Sequence, residues 1–145
     1  MPDLPDADHR RPDGLSDDTL KALGKLSEAL EMVEEARGRL YGFHRLTGSA
    51  DLALGEAVAL LQQAGHSDLA EGIAEDLLGR NVLQGRWTFQ LVEEYDAGYY
   101  QAFCAHEARA RASLAGGRRH LFEAEMKEER RTQGRPAHEA TPTSE

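Results

Sequence analysis

Apolar residues return at alternating steps of three and four in two long rows. The first is Leu23, Leu26, Leu30, Val33, Arg37, Leu40 and His44, and the second is Phe89, Val92, Asp96, Tyr99, Phe103, His106 and Ala110. That is the spacing of one helix face. It predicts a long helix over 16–47, started by Ser16 with Asp17 and Asp18 in the first turn. A second covers 88–114, with Thr88 as cap, Trp87 and Val92 in staple positions and Gly116-Gly117 as its end. Between them, Leu54, Ala57, Val58 and Leu61 mark a helix over 49–64, set off by Gly48 and Gly65. Leu69, Ile73 and Leu77 mark another over 67–79. Residues 80–86 read as a connector whose Val82 and Leu83 should plug into the core. An end helix over 118–131 has Leu121, Phe122 and Met126 as its apolar anchors, a marginal number for docking. The fold class is therefore all-α: a small bundle of two long antiparallel helices packed with a shorter helical hairpin, plus a marginal C-terminal helix.

Each long row contains one full charge. Run antiparallel and aligned end to end, the rows bring Arg37 level with Asp96 and His44 level with Phe89; run parallel, Arg37 would meet Phe103 and both charges would be stranded. Two readings follow. Arg37 and Asp96 form a register-fixing ion pair, or they belong to a polar pocket inside the bundle lined by Arg37, His44, Asp96, Tyr99 and His106.

Composition sets the boundaries. All five prolines fall at 2, 5, 12, 136 and 142, which marks 1–14 and 134–145 as disordered tails around a helical domain at 15–117 and a basic C-terminal helix at 118–133. Residues 1–108 carry nine basic and twenty acidic groups, whereas 109–135 carry eight basic and four acidic. An acidic body repels phosphates, so nucleic-acid binding is disfavoured, with the basic segment the one place that could support it. A single cysteine, Cys104, excludes an internal disulfide. No apolar run reaches membrane-spanning length and no signal segment is evident, so the expected location is cytoplasmic.

Candidate chemistry is thin. Glu34, Glu35, Glu93, Glu94, His44 and His106 invite a carboxylate metal site, but the Glu-x-x-His spacing of di-iron bundles is absent, and no metal or cofactor is expected. Cys104 and His106, two residues apart on a helix, point about 200° away from each other and cannot act as nucleophile and base. The hairpin over 49–79 has the outline of a DNA-reading helix pair, yet its second helix carries Asp68, Glu71, Glu75 and Asp76. No catalytic constellation emerges. Six of the nine aromatic residues lie between Trp87 and Phe103, and Leu91, Tyr95 and Tyr100 form a second apolar face suited to a protein interface. The sequence thus predicts a non-enzymatic helical protein acting through protein–protein contacts, including a homodimer. A ligand- or metal-binding bundle around Arg37 and Asp96 is the alternative.

Overall fold

The computed structural model describes residues 3–142 and is 70% helical without strands, an all-α fold. The helices are α1 (Asp17–Gln63), α2 (Ser67–Asp76), α3 (Thr88–Tyr95), α4 (Gln101–Ala115) and α5 (Leu121–Arg130). A π-helical turn, Asp96–Tyr100, joins α3 to α4 without leaving helical backbone. The predicted break at Gly48 is absent, and α1 runs through it. Gly48 is not in the left-handed conformation that ends helices, whereas Gly65 is, at φ +89°. The apolar positions on either side of Gly48 stay in phase, so continuing the helix costs only the propensity of one glycine, about 1 kcal/mol.

The chain divides into two compact units. The first comprises residues 3–32 and 102–142 of the described chain. Its core is Leu15, Leu20, Ala115 and Leu121, with Leu23 packed against them. The Ser16 hydroxyl accepts from the Thr19 amide at 3.1 Å and caps α1 as expected. α5 docks where Phe122 lies over Gly24: a Cβ at Gly24 would stand 3.1 Å from Phe122 Cβ. Polar contacts supply what its apolar anchors lack. Arg131, its side chain fully covered, donates to both carboxylate oxygens of Glu128, to the Asp3 carboxylate and carbonyl, and to the His138 carbonyl. These bonds use all five guanidinium donors. Arg11 likewise holds Glu125 at 2.7 Å and Asp17 at 2.7 Å. Both proline-marked ends are thereby tied to the body through Asp3 and His138, while residues 1–2 and 143–145 of the predicted tails lie outside the described residues.

The second unit is Val33–Gln101. Its part of α1 runs antiparallel to α3 and the π turn, and folds back through Gly65 onto α2. Asp51 Oδ1 accepts from the Gly79 amide at 2.8 Å, pinning the end of α2 to α1. Val82 and Leu83 do not enter a core but stay exposed. Tight turns at Gly79 (φ +73°) and Gly85 (φ +70°) hold this connector away from the helices. An open cleft of about 1170 Å³ results, lined by Thr47, Asp51 and Leu54 of α1 and by Leu77, Val82 and Trp87.

Candidate functional site

Polar groups converge in the second unit where α1 meets α3 and the π turn. Arg37 Nε donates to Asp96 Oδ1 at 2.7 Å and Nη2 to Oδ2 at 3.1 Å, a two-point pairing of guanidinium and carboxylate. The guanidinium carbon also lies 4.7 Å from the centre of the Tyr100 ring, within cation–π range. The Tyr100 hydroxyl donates to Glu34, one helical turn before Arg37. Two turns further along α1, His44 Nδ1 is 2.8 Å from the Thr88 hydroxyl and its ring meets Phe89 edge-on at 5.1 Å. Tyr41 packs on the other side of the same imidazole, 5.9 Å away. The layers expected at Arg37–Asp96 and His44–Phe89 are thus the observed ones.

The Arg37 guanidinium, by hydrogen bonding, holds the Asp96 carboxyl below the usual carboxylate range, against a smaller opposing effect of desolvation. Asp96 in turn raises Arg37 above its ordinary value. The pair stays doubly ionised at neutral pH and its charges face each other. A carboxylate held in this way is a poor general base, and the space between the two groups is closed by their own bonds. Both side chains remain partly open to solvent, at 42% and 33% exposure.

The π turn determines which other residues join. A π segment inserts one residue into the helical count, so the face that follows is displaced by about 100°. Before it, Val92 is buried as expected. At the turn, Tyr100 and not Tyr99 lies on Arg37; Tyr99 is 60% exposed and leans on Tyr95 at 5.9 Å. After it, within the first unit, Glu107 is buried in place of His106, and Arg111 clamps it at 3.1 and 3.2 Å. His106 is exposed, with Nδ1 3.3 Å from Arg109 Nη2. Of the five residues considered as a pocket lining, Arg37 and Asp96 meet directly, His44 sits two turns away, Tyr99 faces outward and His106 belongs to the other unit. Of the proposed interface residues, Leu91, Tyr95 and Tyr100 are all half-buried.

Four participants escape a row-by-row reading. Glu34 and Thr88 lie off both rows, Tyr100 needs the inserted residue to reach Arg37, and Asp51 looks like any surface acid. Their one sequence signal is proximity by helical turn: Glu34 stands three residues before Arg37, and Thr88 precedes Phe89. Among the described residues, no three histidine, cysteine, aspartate or glutamate side chains converge as a metal would require. No family model, curated protein or solved structure matches the chain.

Proposed function

We propose that this chain acts through protein–protein contacts, with self-association foremost. The observation that carries this reading is the large apolar surface left uncovered. In the second unit Ala70 and Val92 are the buried apolar residues, while Phe43, Leu46, Leu52, Leu60, Leu69 and Trp87 are all exposed. Helices with uncovered apolar faces gain stability by packing against another chain. If folding and association are linked, the thermal midpoint rises with protein concentration, by about 5 °C over a hundredfold increase for a dimer of this size. A midpoint that stays constant over that range would remove the reading.

The cleft beside Trp87 favours a second reading, binding of a small apolar ligand. Trp87 is the chain's one tryptophan and lines the cleft, so its fluorescence reports occupancy. Saturable energy transfer from Trp87 to 8-anilinonaphthalene-1-sulfonate, lost in Leu54→Glu, supports this reading; unsaturable transfer, or transfer unaffected by Leu54→Glu, rejects it.

A further inference from the structure

The cleft beside Trp87 is apolar at its ends and carries a carboxylate between them. Its floor is one face of α1, where Thr47, Asp51 and Leu54 follow at steps of four and three and span about 10 Å. At one end Thr88, the neighbour of Trp87, is tied to α1 through His44 at 2.8 Å. At the other end Leu78 lies against Gly55, 3.8 Å from where a Cβ would stand, and Leu77 lines the wall.

Asp51 is held in place. Its Oδ1 accepts from the Gly79 amide at 2.8 Å, and Gly79 takes the left-handed turn, at φ +73°. Its Oδ2 has no partner among the described residues. The residue is half-buried, and a carboxylate withdrawn from water without a counter-charge is costly. Arg80 also lines the cleft, but its Nη1 lies 3.5 Å from Asp76 Oδ1, so its charge is already matched. Asp51, Arg80 and Asp76 together leave one negative charge. The surrounding unit adds to it, since residues 33–101 carry eleven acidic and five basic groups. Such a field draws cations in and turns anions away.

We propose that this cleft binds a small aromatic amine in its protonated form, with the ammonium on Asp51 Oδ2 and the ring against Trp87. The inference rests on the ligand reading of the cleft above and names the ligand's class. Trp87 is 70% exposed, and its indole offers a flat apolar surface on which an aromatic ring packs. An ammonium donates a charge-assisted hydrogen bond to the free carboxylate oxygen. A neutral apolar ligand would cover Asp51 without pairing it, and an anion would meet its charge directly.

The test titrates the full chain with three ligands that share a ring and differ in charge: 4-phenylbutylammonium, the neutral 4-phenylbutanol and the anionic 4-phenylbutyrate. Trp87 is the chain's one tryptophan, so its fluorescence reads occupancy. The ammonium saturates and binds at least about tenfold tighter than the alcohol, the carboxylate binds weakest, and added salt narrows the differences. Asp51→Asn keeps an oxygen for the Gly79 amide and removes the charge. In that variant the ammonium falls to the affinity of the alcohol, the alcohol is unaffected, and helix content by circular dichroism is unchanged. Should Asp51→Asn lose its helix content, the order of the three ligands on the natural chain decides. Ammonium and alcohol binding alike, or a preference for the ammonium that survives in folded Asp51→Asn, overturns the amine site and leaves an apolar cleft standing. No saturable change with any of the three overturns the ligand reading as well.

Discussion

Gly24 and Gly38 occupy the same helix, yet alanine should act in opposite directions at the two sites. Nothing lies near a Cβ at Gly38, so Gly38→Ala gains helix propensity and stabilises by about 0.5–1 kcal/mol. At Gly24 the new methyl meets Phe122 Cβ at 3.1 Å, close to the α5 backbone and hard to displace. Gly24→Ala should therefore destabilise by about 1 kcal/mol or more. Urea unfolding of both variants checks the contrast. The Arg37–Asp96 contact makes a second claim at this scale. Arg37→Ala and Asp96→Ala should each lower the thermal midpoint by a few degrees, and the double variant no further than the worse single; additive losses would show that the two groups act independently. This contact was legible in the sequence because each row held one full charge and only an antiparallel alignment united them. Tyr100 was not, since counting residues on an α-helix cannot anticipate an inserted one. The same arithmetic explains why Glu107 is buried where His106 was expected.

Among the elements, α1 and α5 show how far periodicity reaches. Apolar spacing located every α-helix among the described residues, but not the short 3-10 helix Ala7–His9 or the π turn. It misjudged Gly48, because a glycine ends a helix only when the chain takes the left-handed turn, and that choice depends on what lies beyond. α5 was marginal by its apolar content and is held by ionic contacts, which have no period. Arg131→Lys should lower the thermal midpoint by on the order of 5 °C. A lysine ammonium cannot reproduce the five-donor fork that joins Glu128, Asp3 and the His138 carbonyl. Differential scanning calorimetry measures the loss, and an unchanged midpoint would show that the α5 anchor is dispensable. The pH response belongs here as well. Glu128, through Arg131, and Asp96, through Arg37, both have carboxyls held below their ordinary values. A depressed carboxylate contributes stability above its unfolded value, about 4, and that stability is lost as pH falls through the folded value. The contribution of these pairs should therefore be constant from pH 8 to 5 and disappear below about pH 4. In the double variant Arg37→Ala/Arg131→Lys the fall in midpoint below pH 4 should be shallower.

At the scale of the whole molecule, the balance of buried and exposed apolar groups matters more than any single site. The core of the first unit is small and that of the second smaller, while large apolar side chains line much of the outside. Which faces remain uncovered was not legible in the sequence. The exposed Phe43, Leu46 and Leu60 of α1 straddle the expected break at Gly48, so they belong to one helix only once α1 is continuous. The most direct test of the account is the mass of the full chain in solution, by light scattering at micromolar and higher concentrations. One chain weighs 16.0 kDa. The account predicts about twice that, the mass of a dimer. A mass that stays at 16.0 kDa throughout would contradict it.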